Sequence, residues 1–294
     1  MWLQLICQTS RDSESLVSEA AENMGAASIT LCDAGDNPVL EPLPNETPLW
    51  DDIVITILFR EEDKHLIDSL QKQLENQKLD WKISNIRQEV LEEQQWERVW
   101  MDDFHPMKFG ENLWIYPSWC EIPDDSSVKI LLDPGLAFGT GTHPTTSLCL
   151  EWLDQNHPTG LSVIDYGCGS GILAIAAIKL GATHVLATDI DSQALIATQD
   201  NQLKNDIPNN KINHYLPEEM PTIKADLMMA NILCGPLIEL SETLCSMTTS
   251  GGKIVLSGIL EEQKNLLEES YSAYCNDIQF ATLDGWVRMT ARVR

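Results

Sequence analysis

"VIDYGCGSGILAIAAIKLGA", residues 163–182, joins a short apolar strand to an apolar helix through a turn that holds three glycines. Such a turn lies at the carboxyl end of a strand, where α/β sheets bind nucleotides. Glycine lets the backbone approach a ligand because no Cβ stands in the way. A tight turn can also contain glycine for structural reasons alone. The stretch therefore predicts an α/β sheet with a candidate nucleotide site at its edge.

The spacing of these glycines narrows the class of ligand. Gly167-x-Gly169-x-Gly171 differs from the G-x-G-x-x-G spacing that seats a dinucleotide pyrophosphate on a helix N-terminus. The shorter spacing favours a nucleoside ligand that lacks phosphates. The next predicted strand ends at Asp189, whose carboxylate can accept both ribose hydroxyls. Asp191, two residues later, is predicted instead to cap the following helix.

The order of predicted elements divides the chain into two domains and a connector. Residues 1–88 follow the order β-α-β-β-α-β, which predicts a small α+β domain of the ferredoxin-like kind. Residues 89–130 begin with a helical pattern and continue with Pro- and Gly-containing sequence, and we interpret them as an interdomain connector. Residues 131–294 are predicted to form an α/β domain, with seven strands after residue 162.

The end of the chain separates two classes of nucleotide-binding fold. Only a Gly-containing turn separates the last two predicted strands. They are expected to form an antiparallel hairpin, because parallel neighbours need a long crossover. A sheet that is parallel apart from such a hairpin resembles the Rossmann-like class I S-adenosylmethionine-dependent methyltransferases. Nicotinamide-dependent oxidoreductases usually lack the hairpin, and the glycine spacing also argues against them.

Composition limits the partners and the compartment. The 294 residues carry a net charge of −26, and an acidic field repels phosphate backbones. No direct nucleic-acid binding is expected. The field would attract a basic protein, but many soluble proteins are acidic simply to stay dispersed, and charge alone favours that interpretation. Eight cysteines without Cys-x-x-Cys spacing, and His143 without a second ligand near it in sequence, predict reduced thiols and no metal site. With no signal peptide or membrane span in the sequence, we expect a cytoplasmic protein.

Two further motifs contribute to the candidate site. "LAFGTGTHPTT", residues 136–146, lacks the Gly-Lys-Ser/Thr element of a phosphate loop. We predict that it folds over a cofactor, with threonine hydroxyls and the flat face of Phe138 available for contacts. "ANIL", residues 230–233, ends a strong predicted strand at Asn231, where methyltransferases of this class often place polar groups. Asn231 could also be a turn residue at a strand end.

The "ANIL" segment also bears on the substrate. In methyltransferases that act on glutamine or adenine amino groups, the corresponding segment resembles Asn/Asp-Pro-Pro-Tyr/Phe. Asn231 matches the first position of that pattern, but the prolines and the aromatic residue are missing. The departure argues against these two substrate classes.

Four motifs together resemble one family. "AFGTGTHPTT", "VIDYGCGSGILAIAAIKLGA", "TDIDSQA" and "ANIL", in this order and after a small α+β domain, resemble the PrmA family of ribosomal protein L11 methyltransferases over essentially the whole chain. The resemblance implies that S-adenosylmethionine is bound by Thr146, Gly167, Asp189 and Asn231. Gly169 and Phe138 join this set of predicted cofactor-binding residues. The resemblance also implies that the N-terminal domain grips the ribosomal protein, while a flexible connector lets it present several amines to one active site.

The predicted reaction is methyl transfer from S-adenosylmethionine to the α-amine and to lysine ε-amines of a large-subunit ribosomal protein. The attacking amine must be uncharged, and the reference pKa is about 7.7–8.0 for an α-amine and about 10.4 for lysine. Lysine therefore needs an apolar pocket that lowers its pKa. No Lys, His or Glu that could serve as a general base stands beside Asn231 in sequence. We predict that Asn231 is catalytic by accepting amine hydrogens, and we expect a monomer.

Other functions of the same fold stay open from sequence alone. One is a class I methyltransferase that acts on a small molecule or on another basic protein, and the separate N-terminal domain argues against a small molecule. Another is a binding protein that has lost catalysis. The intact glycines, Asp189 and Asn231 argue against that loss.

Overall fold

The structure is a computed structural model, and it describes residues 2–35, 48–91, 105–133 and 141–294. By internal contacts the chain divides into two units, Met1–Val99 and Trp100–Arg294. This division lies between the predicted boundaries at residues 88 and 130. The domain limits predicted from sequence stay a prediction.

The first unit has the predicted β-α-β-β-α-β order. Its elements are β1 (Trp2–Ser10), α1 (Arg11–Asn23), β2 (Ser28–Asp33), β3 (Asp52–Arg60), a 3-10 turn (Glu61–Asp63), α2 (Lys64–Asn76) and β4 (Ser84–Leu91). The four strands form an antiparallel sheet in the order β2-β3-β1-β4. Alternate residues of β3 from Ile53 to Phe59 are fully buried, and they share one core with α1 and α2. The period-two pattern of "DIVITILF" thus places one face of the sheet against the helices.

The predicted connector contains more regular structure than expected. Residues 89–91 belong to strand β4 and not to a helix, and residues 92–104 lie outside the described residues. A three-stranded sheet follows, with β5 (Met107–Phe109), β6 (Leu113–Tyr116) and β7 (Val128–Leu131). Leu113, Ile115 and Ile130 are fully buried in a core of the second unit. The apolar residues of this segment therefore form packed strands, although the prolines and glycines between them are typical of a connector.

The rest of the second unit alternates helices and strands, as predicted. Its elements are α3 (Pro144–Gln155), β8 (Ser162–Tyr166), α4 (Ile172–Lys179), β9 (His184–Thr188), α5 (Ser192–Lys204), β10 (Ile212–Tyr215), a 3-10 turn (Pro217–Glu219), β11 (Ala225–Asn231), α6 (Cys234–Glu239), α7 (Ser241–Ser246), β12 (Thr248–Leu260), a 3-10 turn (Glu261–Gln263), α8 (Lys264–Ser272), β13 (Cys275–Leu283) and β14 (Trp286–Val293). Two short helices, α6 and α7, follow the "ANIL" segment. They are divided at Leu240, where φ of −90° and ψ of 4° depart from helical geometry.

The large sheet has the predicted seven strands and the predicted terminal hairpin. Its order is β10-β9-β8-β11-β12-β14-β13. The pairs from β10 to β12 are parallel, whereas β14 is antiparallel to both of its neighbours. Asp284 and Gly285 in the hairpin turn both have positive φ, 50° and 78°, as a type I′ turn requires. Because β14 runs in the opposite direction, Trp286 at its start lies at the carboxyl edge of the parallel strands.

Helices cover both faces of this sheet. In β8, Val163 belongs to the core shared with α3 and α4, and Ile164 belongs to the core shared with α6, α7 and α8. Helix α4 is buried on nearly all sides, which explains its continuous apolar sequence. Within the described ranges, no helix has both the length and the apolar character that crossing a membrane requires.

Candidate active site

A pocket of about 670 Å³ opens at the carboxyl edge of the seven-stranded sheet. It lies between the ends of the neighbouring strands β8 and β11. From β8 the chain continues to β9 on one side of the sheet, and from β11 it continues to β12 on the other side. Open α/β sheets bind ligands at such a switch point. Its walls come from the turn after β8, the residues after β9 and β11, the start of α3 and the start of β14. Five of the six predicted cofactor-binding residues line it, and they are Thr146, Gly167, Gly169, Asp189 and Asn231. Phe138 lies outside the described residues.

The turn after β8 needs its three glycines for conformational reasons. Gly167, Gly169 and Gly171 have φ of 79°, 54° and 78°, in the left-handed region that other residues rarely adopt. A Cβ on Gly167 would also stand 2.2 Å from Cγ2 of Ile232. The backbone N–H of Gly167 donates to the Thr188 carbonyl at 2.7 Å, which ties the turn to the end of β9. Gly167 and Gly169 thus present bare backbone to the pocket.

Asp189 follows β9 and faces the same pocket. Its Oδ2 accepts a hydrogen bond from the Gly169 N–H at 2.9 Å, and its Oδ1 accepts one from the Asp191 N–H at 3.0 Å. Each carboxylate oxygen has a second lone pair, so both can still accept a ligand hydroxyl. Asp191 caps α5 by accepting from the Gln193 N–H at 2.9 Å, which confirms the role predicted for it.

Asn231 closes β11 and reaches across the pocket to α3. Its Nδ2 donates to Oγ1 of Thr146 at 3.2 Å. Thr146 is 1% exposed and lies in the first turn of α3, so its hydroxyl is held by the helix that carries it. The amide nitrogen gives one of its two hydrogens to this bond, and the Asn231 carbonyl oxygen can accept a hydrogen from a ligand.

His143 is a capping residue at the pocket wall. It precedes α3, and its Nδ1 accepts from the Thr145 N–H at 3.3 Å and lies 2.8 Å from the Thr145 hydroxyl. Its ring meets that of Trp286 edge to face, with 4.7 Å between centroids. Burial lowers the pKa of His143, which favours the neutral ring that the cap requires. Among the described residues, no group of His, Cys, Asp and Glu side chains could hold a metal ion.

Asp165 lies beneath the glycine turn. It is 1% exposed, and its Oδ2 accepts from the Ala174 N–H at 3.0 Å. Its Oδ1 has no hydrogen-bond partner within the described residues. Burial raises the pKa of Asp165 to about 7, and the nearby charge of Asp189 also raises it. This carboxyl group therefore holds a proton at a pH where most aspartates are ionised.

The family model of ribosomal protein L11 methyltransferase (PrmA) matches residues 1–294. The chain belongs to the PrmA family. The family and the class I methyltransferase fold expected from the four motifs are confirmed.

Individual members of the PrmA family cover the whole chain. A ribosomal protein L11 methyltransferase of Pseudomonas fluorescens (strain SBW25) is 48% identical over 100% of this chain and 99% of that protein. One of Cellvibrio japonicus (strain Ueda107) is 47% identical over 99% of this chain and 98% of that protein. The crystal structure of a ribosomal protein L11 methylase from Lactobacillus delbrueckii subsp. bulgaricus aligns with a TM-score of 0.59 at 33% identity. It covers 65% of this chain and 100% of that one.

Three of the pocket residues of this PrmA chain that were not predicted from sequence bear on the shape of the site. Ile190 follows Asp189 and is 87% exposed, so its apolar side chain borders the pocket without protein neighbours to cover it. Trp286 could have been found, because the antiparallel last strand must begin at the ligand edge. Gly258 has φ of 91°, and a Cβ there would stand 2.1 Å from the Ile232 carbonyl oxygen. No local sequence pattern marks Gly258, since the contact joins β12 to the residue after Asn231.

Proposed function

We propose that this PrmA family member transfers methyl groups from S-adenosylmethionine to amino groups of ribosomal protein L11, in the cytoplasm. The observation that carries the proposal is the convergence of Asn231, Asp189 and the glycine turn on one pocket at the switch point of the sheet. The names of the relatives support the protein substrate. The net charge of −26 favours a basic partner over nucleic acid.

The residues of the pocket fit S-adenosylmethionine. Asp189 has lone pairs for two ribose hydroxyls, and Gly167 and Gly169 leave room for a ligand against the backbone. The exposed Ile190 offers an apolar face for a base. No Lys or Arg is found among the described residues that line the pocket, so a phosphate would have no cationic partner there. When bound, the cofactor supplies a methyl group already activated on its sulfonium.

The chain's own residues then position the amine. With its Nδ2 held by Thr146, Asn231 can turn its carbonyl oxygen towards an amine hydrogen. The walls beside it are largely apolar, with Ile232, Leu233 and Trp286. Burial in such surroundings disfavours an ammonium ion and so lowers the pKa of an entering lysine. The apolar walls would thus favour the uncharged amine and Asn231 would orient it, so that no general base is required at the nitrogen.

We also propose separate roles for three segments of the chain. Residues 1–88 would recognise the ribosomal protein, residues 89–130 would connect, and residues 131–294 would bind the cofactor and carry out the transfer. The chain would act as a monomer. Both the N-terminal α-amine and lysine ε-amines would be substrates, with the α-amine easier to methylate because its reference pKa is lower.

The test is a transfer assay with labelled S-adenosylmethionine. Purified protein is mixed with ribosomal proteins from cells that lack this enzyme, and the labelled band is analysed by intact mass. We expect one large-subunit protein, L11, to gain several methyl groups. A parallel reaction uses L11 with a blocked N-terminus, which separates α-amine from lysine modification. Cofactor binding without any labelled protein would overturn the proposed substrate and direct the search to small molecules.

A further inference from the structure

Two buried polar side chains of α5 hold the glycine turn from below. Thr198 donates from its Oγ1 to the Gly169 carbonyl at 2.9 Å, and Asn201 donates from its Nδ2 to the Ser170 carbonyl at 2.9 Å. Thr198 is 0% exposed and Asn201 is 6% exposed. They are three residues apart on one helix, so both project towards the same turn. The carbonyl groups of two consecutive residues, Gly169 and Ser170, therefore accept hydrogen bonds from α5 and not from a ligand in the pocket.

The turn is fixed on its other side by Asp189. The Gly169 N–H donates to Asp189 Oδ2 at 2.9 Å, while the Gly169 carbonyl accepts from Thr198. The two peptide groups that flank the Cα of Gly169 are thus held from opposite directions. Gly169 has φ of 54° and lines the pocket. The orientation of Gly169 therefore depends on Thr198 and Asn201 of α5. Neither of these two side chains lines the pocket.

Packing leaves little room for the turn to shift towards α5. A Cβ on Gly171 would stand 2.5 Å from Cγ2 of Thr198. A valine at position 198 would have the shape of threonine and keep this contact, but it would lose the hydroxyl. The Gly169 carbonyl would then be left without that partner in a water-poor site, and such a loss favours rearrangement of the turn.

We infer that Thr198 and Asn201 are positioning residues for cofactor binding, which act through the backbone of the glycine turn. The inference rests on the proposed function, because it assigns the turn to S-adenosylmethionine. Neither side chain touches the ligand space, so their effect is on the conformation of Gly169 and Ser170. Loss of the Thr198 hydroxyl should weaken cofactor affinity more than the change in overall stability would explain.

A matched control is available in the same unit. Thr248 is also 0% exposed, and its Oγ1 donates to a backbone carbonyl, that of Leu244, at 2.8 Å. Thr248 does not line the pocket. Thr198→Val and Thr248→Val therefore remove the same kind of buried hydrogen bond. They should destabilise the fold to a similar extent, and only Thr198→Val should disturb the glycine turn.

The experiment compares the full-length variants in three measurements. Affinity for S-adenosylhomocysteine is measured by calorimetry, stability by urea unfolding, and the turn by hydrogen exchange of residues 167–171 without ligand. For Thr198→Val we expect affinity about tenfold weaker and exchange about tenfold faster, the size of one lost hydrogen bond. Thr198→Ser should restore both, since it keeps the hydroxyl. Thr248→Val should change neither.

The outcomes distinguish a positioning role of Thr198 from a purely structural one. If Thr198→Val matches Thr248→Val in affinity and in exchange of the turn, the inference is wrong and Thr198 is only a structural residue. If the wild-type protein does not bind S-adenosylhomocysteine, the proposed function fails. Exchange of the turn would still test whether Thr198 positions it. Should Thr198→Val fail to fold, the single variants Asn201→Leu and Thr198→Ser provide the same comparison. Faster hydrogen exchange of the turn is then expected for Asn201→Leu and not for Thr198→Ser.

Discussion

Asn231 and Thr146 lie 85 positions apart in sequence and are joined by a hydrogen bond of 3.2 Å from Asn231 Nδ2 to Thr146 Oγ1. The bond links the end of β11 to the first turn of α3 across the pocket. In this arrangement the amide nitrogen of Asn231 faces the threonine, and the carbonyl oxygen can accept a hydrogen bond from a ligand. The acceptor that results is what the proposed reaction needs, because an uncharged amine has hydrogens to donate.

The first prediction concerns Asn231. Asn231→Ala removes the carbonyl oxygen, and we expect kcat to fall about a hundredfold, the scale measured for single preorganised groups at reacting centres. Thr146→Val keeps the shape of the side chain but removes the acceptor for Nδ2, so kcat should fall by a smaller factor. Steady-state kinetics with ribosomal protein L11, together with the affinity for S-adenosylhomocysteine, measure both effects.

The control for this prediction is Asn213→Ala. Asn213 is exposed on β10 and does not line the pocket, so its removal should leave kcat unchanged. Full turnover by Asn231→Ala with cofactor affinity intact would exclude a catalytic role for Asn231.

The second prediction separates two neighbouring aspartates. Asp189→Ala removes the acceptor for the Gly169 N–H and, under the proposed function, the acceptor for the ribose hydroxyls, and we expect affinity for S-adenosylhomocysteine to fall roughly 10- to 100-fold. Asp191→Ala removes the cap of α5, and it should cost about 1 kcal/mol of unfolding free energy with little change in affinity. Calorimetry and urea unfolding on both variants check the split. Equal losses of affinity would mean that Asp189 acts only through the fold of the loop.

Most of the fold follows from local sequence. The seven strands of the large sheet, its reversed last strand and the cap at Asp191 were predicted, because each depends on a short pattern such as apolar alternation or an Asp-Gly turn. Strands β5 and β6 were missed. They are three and four residues long, and their stability comes from packing of residues such as Leu113 and Ile115 into the core of the second unit. No window of that length contains this information.

The candidate site was predictable where a residue sits at a strand end. Asp189 and Asn231 follow strands that end at one edge of the sheet, so their meeting in the pocket follows from topology. The support for the site was not predictable. The contact between Gly258 and Ile232, and the bonds from Thr198 and Asn201 to the glycine turn, join residues 26 to 31 positions apart. Only the three-dimensional packing of β12 and α5 brings them together.

The third prediction uses two glycines of β12. Gly258→Ala would place a Cβ 2.1 Å from the Ile232 carbonyl oxygen, so the segment after Asn231 must move. We expect kcat to fall at least about tenfold, since small misplacements near reacting groups have effects of this size or more. Gly251 also has positive φ, 79°, but has no atom within 4 Å of such a Cβ. Gly251→Ala should therefore cost about 1–2 kcal/mol of stability and leave kcat unchanged.

The outcome against this prediction is specific. If Gly258→Ala is folded by circular dichroism and has the kcat of Gly251→Ala, the contact with Ile232 does not hold Asn231 in place. If both variants lose activity in proportion to their stability, backbone strain alone explains the effect.

The fourth prediction concerns Asp165 and pH. Its folded pKa of about 7 lies above the unfolded reference of about 3.9, so between these values the folded protein binds more protons than the unfolded chain. Stability of the wild-type protein is therefore lost as pH rises through this window, and the full cost is present above the folded pKa.

Asp165→Asn resembles the protonated carboxyl and cannot ionise. We expect the variant to gain stability over the wild type as pH increases, with near equality at about pH 3.5 and a gain on the order of a few kcal/mol at about pH 8. Urea unfolding of the ligand-free protein across this range measures the difference. Asp200→Asn, on the exposed face of α5, is the control, and its difference from the wild type should stay nearly constant. A constant difference for Asp165→Asn as well would mean that Asp165 is ionised throughout, and that a partner for its Oδ1 stabilises the charge.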